Sequence, residues 1–196
     1  MVLAFGAGTN LLGDWTNDSS ALDGAIRRAE IGAGDILPKG KPRPPGFSGT
    51  KLYDSVYLTC QIKMTHETGH KALVILTDAD DNNSAKTIAE AIEAAQRADT
   101  LVEMLMVYDP FSGSDYSVAK RLAEETGGRA IDLYDQKSLQ GAFDEISDQL
   151  RTEYTLGYYP TNTREDGTFR RIKVELSNKD YKTLVRKGYY AKGGGN

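Results

Sequence analysis

The chain has 196 residues, 39% hydrophobic and 27% charged, with a formal net charge of −4. That length suits one domain, or one domain with a small appendage, in an ordinary globular composition. The longest apolar runs fall far short of the roughly 20 residues a membrane helix needs, and a mild negative charge without any Lys/Arg run argues against nucleic acid as a partner.

Only His66, His70 and the lone Cys60 could serve as soft ligands, so a zinc site is starved of donors. Cys60 can form no internal disulfide, and its place beside Val56 and Tyr57 marks it as a small core hydrophobe. The opening "MVLAFGAGTN" has no basic region and reads as a strand that begins in mid-course rather than as an export signal.

Val2 to Phe5 and Thr9 to Leu12 flank "GAG" and predict a hairpin, because glycine tolerates positive φ. Asn17 or Asp18 caps a helix carrying Leu22, Ala25, Ile26 and Ala29. Residues 31–49 hold four of the six prolines and predict a long surface loop. Helical order restarts at "GTKLYDSVYLTCQIKM", with Thr50 at the helix start and Gly49 allowing close backbone approach. "KALVILT", residues 71–77, predicts a strand buried on both faces, as parallel strands are.

Beyond it come a helix through Ile88, Ala91, Ile92 and Ala95, a strand at 101–108, and a helix in "SVAKRLAEETGG" stopped by Gly127 and Gly128. A short strand, "RAIDL", precedes an amphipathic helix marked by Leu139, Phe143, Ile146 and Leu150. After Arg151 the pattern changes to three strands, "EYTLGYYP", "TFRRIKVEL" and "KTLVRKGYY", the first two joined by a turn-rich segment. The class is α/β: a mostly parallel sheet with helices on both faces, extended by antiparallel strands.

Asp78, Asp80 and Asp81 follow the 71–77 strand, at the carboxyl end where open α/β sheets bind ligands. Spacing alone leaves two readings open. Asp78, the Thr50 hydroxyl and water could form part of a Mg²⁺ shell, or the acids could simply cap the helix that follows.

"GTKLYDSVY", "KALVILTDADDNNS" and "AKRLAEETGGRAIDL" resemble the later motifs of von Willebrand factor type A domains. The tail "FDEISDQLRTEYTLGYYP", "FRRIKVELSN" and "LVRKGYYA" is similar to the VWFA-related domain of acidobacterial secreted proteins. The resemblance implies a Rossmann-like sheet, non-catalytic adhesion-type binding of a protein carboxylate through a divalent cation, and an extracytoplasmic setting, cell envelope or secreted. It assigns Thr50 to the family's threonine motif and Asp78 to its Thr-Asp-Gly turn, with Ala79 in place of the glycine. The family's Asp-x-Ser-x-Ser motif is missing; "DYSVA" at 115–119 is a half match that reads as a helix cap.

The family's first, central strand is missing with that motif, so residues 1–151 are expected to form a truncated VWFA-like domain and the chain to be a fragment or to have a misassigned start. Residues 152–192 form the β extension and 193–196 a tail. Metal affinity is then weak or absent, with Asp78 and Asp80 left to carry the charge beside Thr50, and the unpaired strand edges invite self-association.

Two other functions fit parts of the chain. Asp78-x-Asp80 after an apolar strand is the pattern of Mg²⁺-dependent phosphoryl transfer, with Asp78 as nucleophile and Asp80 handling the leaving-group proton. That chemistry lacks its later lysine and acidic motifs here, and Asn82 stands where it expects threonine. A metal-free scaffold presenting tyrosines from "YTLGYYP" and "RKGYYA" is the remaining reading.

Overall fold

The computed structural model describes residues 1–29, 49–107, 115–134, 136–181 and 183–191. The centre is a three-stranded parallel sheet in the order β3-β4-β5, formed by Lys71–Thr77, Thr100–Val107 and Ala130–Leu133. Pairing runs from Lys71 opposite Thr100 to Thr77 opposite Met106, and from Met104 opposite Ala130 to Val107 opposite Leu133.

Helices cover both sides. On one face lie α2 (Leu52–Ile62), α3 (Ile88–Arg97) and α4 (Tyr116–Thr126), which contribute Val56, Cys60, Ala91, Ala95, Leu122 and Ala123 to the main core. β3 and β4 meet them with Ile75, Val102, Met104 and Met106. On the other face α5 (Gln136–Arg151) packs Ala142 and Ile146 on Leu105 and Leu133. The fold is therefore mixed α/β and Rossmann-like in its parallel core.

Cys60 is fully buried, and burial pushes its thiol up to about 12, so it packs as a hydrophobe and carries no thiolate near neutral pH. β1 (Val2–Phe5) and β2 (Thr9–Gly13) form the expected antiparallel hairpin. Asp18 caps α1 (Ser19–Arg28) by accepting from the Ser20 and Ala21 amides. Gly127 ends α4 in the left-handed conformation at φ 94°. The predicted loop, residues 31–49, lies outside the described residues except for Gly49.

Three expectations are corrected. β3 is not buried on both faces: Val74 and Leu76 are 41% and 53% exposed, while α5 packs on Leu105 of β4 and Leu133 of β5. Phe143, placed by spacing on the apolar stripe of α5, is 46% exposed, since the helix rests on a narrow ridge of Ala142 and Ile146. Finally, "EYTLGYYP" forms no strand; the C-terminal pairing is β6 (Phe169–Arg171) with β7 (Gly188–Tyr190), in a separate antiparallel pair.

That pair is held on the α/β body by few contacts. Arg97 lies 4.0 Å over the Tyr190 ring, Arg186 pairs with Asp99, and the Lys187 amide donates to the Glu125 carbonyl at 3.3 Å. Tyr154, Leu156 and Tyr159 find no cover there and stay 87%, 73% and 100% exposed.

Candidate metal centre

The end of β3 and the start of α2 meet. The Thr50 amide donates to Asn82 Oδ1 at 2.9 Å, and the Asn82 and Asn83 amides both return to the Thr50 carbonyl at 3.2 Å. Gly49 makes this possible: at φ 129°, a Cβ there would collide with Asn82 Oδ1 and come within 2.8 Å of Asn83 Cβ.

The two segments cap one another. Lys51, the residue before α2, makes no side-chain cap, so the first helical amides must find their acceptors outside the helix. Asp81 Oδ2 accepts from the Tyr53 amide at 2.9 Å and Ser84 Oγ from the Asp54 amide at 3.0 Å. In return Asp54 accepts from the amides of Lys86 at 2.8 Å and Ala85 at 3.1 Å. A carboxylate at this helix start is also favoured by the helix dipole. Its charge reaches the Tyr53 hydroxyl, whose pKa is raised first by burial and then by Asp81 and Asp115.

The expected capping of the next helix by the acidic loop is thus redirected. α3 has its own capping box, Thr87 with Glu90, whose carboxyl is held down to about 2 by Lys86 and by the Thr87 amide and hydroxyl. Ser84 and Asp54 are not singled out in the sequence, and Asp81 is read there only as one of the loop's acids, although Asp and Ser near a helix start are the residue types that supply such caps.

Thr50, Asp78 and Asp80 lie on these joined segments. Asp78 Oδ1 accepts from the Asp80 amide at 3.1 Å, and Asp80 Oδ2 from Asn82 Nδ2 at 3.1 Å. The turn is tight: Ala79 sits at φ 60°, fully enclosed, its amide donating to Thr77 Oγ1 at 3.0 Å. Among the described residues, Thr50 Oγ1, Asp78 Oδ2 and Asp80 Oδ1 have no hydrogen-bond partner.

Two carboxylate oxygens and a hydroxyl suit a hard cation in kind but not in number, since Mg²⁺ takes six oxygens and water would supply the rest. Among the described residues, no group of three or more His, Cys, Asp and Glu side chains is gathered around one point. Asp115 and Ser117 serve α4 as its cap: Asp115 Oδ1 accepts from the Ser117 hydroxyl at 2.6 Å and the Val118 amide at 3.2 Å, which hold its carboxyl below the usual range.

No protein-family model matches the sequence, and no curated protein matches it. Among solved structures the chain is similar to the crystal structure of an uncharacterized membrane spanning protein from Vibrio fischeri. That likeness has 15% identity, covers 74% of this chain and 73% of the other, and has a TM-score of 0.38, too low to carry an argument about fold or function. No helix among the described residues is long and apolar enough to cross a membrane.

Proposed function

We propose that the chain is a non-catalytic protein-interaction module of von Willebrand A type with a weak divalent-cation site at Thr50, Asp78 and Asp80. The observation that carries this reading is the reciprocal bonding of Thr50 with Asn82 and Asn83, which brings the start of α2 against the loop that bears both aspartates. Asp81 supports it by exclusion: its oxygens already serve the Tyr53 amide and Ser84, so the structural task and the ligand task fall on different acids.

Thr50, Asp78 and Asp80 would hold the ion, which would supply a desolvated positive charge for a carboxylate from a partner protein. Few anionic ligands leave such an ion strongly electrophilic toward an incoming carboxylate, at the expense of affinity for the ion itself. An extracytoplasmic setting, in the cell envelope or secreted, is part of the same proposal.

Mn²⁺ binding followed by electron paramagnetic resonance tests the assignment. Asp78→Asn should abolish binding and Thr50→Val should weaken it, while Asp132→Asn, an exposed acid on β5, should leave it unchanged. Binding indifferent to Asp78 would overturn the site, and hydrolysis of p-nitrophenyl phosphate that requires Asp78 would replace adhesion with phosphoryl transfer.

A further inference from the structure

At the opposite end of β3 from Asp78, Glu67 and Lys71 carry charges that have no ion-pair partner among the described residues. Lys71, the first residue of β3, closes the short 3₁₀ turn Met64–His66. Its Nζ donates to the Met64 and Glu67 carbonyls, each at 3.1 Å. Cations are favoured at such an end, where a helix leaves its last carbonyls unpaired. An ammonium has three N–H donors, so this cap leaves one unused. Glu67 is exposed, and only its backbone amide and carbonyl are bonded.

Both residues line a cavity of about 360 Å³. Met64, Ala72 of β3, Leu150 of α5 and Trp15 give it apolar walls. Trp15 is fixed there through its neighbour: both Asp14 carboxylate oxygens accept from Lys63 Nζ at 3.0 Å, and Oδ1 also accepts from the Trp15 amide at 2.9 Å. Trp15 nevertheless stays 47% exposed. His70 also lines the cavity but offers it no free nitrogen. Its Nδ1 meets Glu153 Oε2 at 2.9 Å, and its Nε2 meets Thr155 Oγ1 at 3.3 Å. Small-molecule pockets of about 300–1,000 Å³ combine mostly apolar walls with a few polar groups that fix orientation. This cavity has both.

We infer that the cavity binds a free α-amino acid with an apolar side chain, its carboxylate on Lys71 and its ammonium on Glu67. The unused N–H of Lys71 calls for an anion, and the unpaired Glu67 carboxylate calls for a cation. Both belong to one short stretch, with Lys71 Nζ 3.1 Å from the Glu67 carbonyl. The ligand's opposite charges must therefore lie close together, as they do on a single α-carbon. Met64, Ala72, Leu150 and Trp15 then face an aliphatic or aromatic side chain. A simple carboxylic acid or amine with the same apolar body would match one charge and cover the other unpaired, which costs free energy.

Trp15 is the single tryptophan of the chain, so its fluorescence reports on the cavity directly. Titration of the full chain with L-leucine in EDTA should give a saturable change in emission. Isocaproate, which lacks the amino group, and isoamylamine, which lacks the carboxylate, should each bind more weakly by about tenfold or more. Lys71→Met should weaken leucine binding by a similar factor and erase its advantage over the amine. Glu67→Gln, at an exposed position, should erase the advantage over the acid. Circular dichroism checks the fold of both variants, and the Glu67→Gln comparison stands on its own if Lys71→Met does not fold. No saturation by leucine up to about 10 mM would overturn the inference. So would equal binding of leucine and either analogue, or binding that Glu67→Gln leaves unchanged. EDTA keeps divalent ions out of the titration, so its outcome leaves the Thr50–Asp78 site to its own test.

Discussion

β3 and β4 have nearly the same sequence character, apolar runs of seven and eight residues, and end in different surroundings. Leu105 on β4 is fully buried under α5, while Leu76, its partner across the ladder, is 53% exposed. An apolar run specifies a strand whose two faces favour cover; what covers them is decided elsewhere in the chain. β4 has strands on both sides and helices on both faces. Among the described residues, β3 has a strand on one side and helices on one face.

Substitutions across that rung give the largest contrast. Leu105→Ala should destabilise the chain by about 2–5 kcal/mol, since it opens a cavity between β4 and α5. Leu76→Ala in dilute protein should cost about 0.5 kcal/mol or less. Urea unfolding measures both, and equal losses would mean that β3 is covered in solution.

A second contrast separates the acids of the loop. Asp81→Ala leaves the Tyr53 amide and Ser84 without their acceptor and should cost about 1–3 kcal/mol. Asp78→Ala removes no bond between segments and should stay within about 0.5 kcal/mol in metal-free buffer. A large loss from Asp78→Ala would make it a structural residue and weaken its claim as a ligand.

β4 carries a buried acid where β3 has Val74. Glu103 accepts from Gln149 Nε2 at 2.8 Å and from the Arg129 amide at 2.9 Å, yet burial outweighs these bonds and raises its carboxyl above the ordinary 4.5. The folded chain thus favours the neutral acid. This contribution to stability is full below 4.5 and is lost as the pH rises through the folded value. Glu103→Gln should remove that slope, so the stability difference between wild type and variant should shift in the variant's favour from acid to neutral pH. A pH-independent difference would contradict the shift.

A small effect is also expected at Ala79, in the turn after β3. Glycine there relieves about 1–2 kcal/mol of left-handed strain, against about 0.8 kcal/mol for the lost buried methyl. Thermal unfolding of Ala79→Gly should therefore differ little from wild type.

The main elements were legible because their signals are local. Hydrophobic periodicity located β3 to the residue and placed α1 through α5, and Gly127 marked the end of α4. What was not legible depends on partners distant in sequence. Nothing in "KALVILT" tells that α5 packs on Leu105 and Leu133 and leaves Val74 and Leu76 exposed, and the tyrosine alternation in "EYTLGYYP" states a strand preference without supplying a neighbour. The site divides in the same way. Thr50, Asp78 and Asp80 are candidates by position and resemblance, and they lie on joined segments, but the Asp81, Ser84 and Asp54 clasp required knowing that α2 begins without a cap of its own.

Calorimetric titration of Mg²⁺ into wild type, Asp78→Ala and Asp81→Ala bears most directly on the central claim that the joined ends of β3 and α2 hold one hard ion. The account predicts a weak single-site binding heat in the wild type that vanishes in Asp78→Ala while its thermal unfolding without metal is unchanged, and a destabilised Asp81→Ala that still binds below its unfolding range. No Mg²⁺-dependent heat in the wild type, or a heat that Asp78→Ala leaves intact, would contradict it.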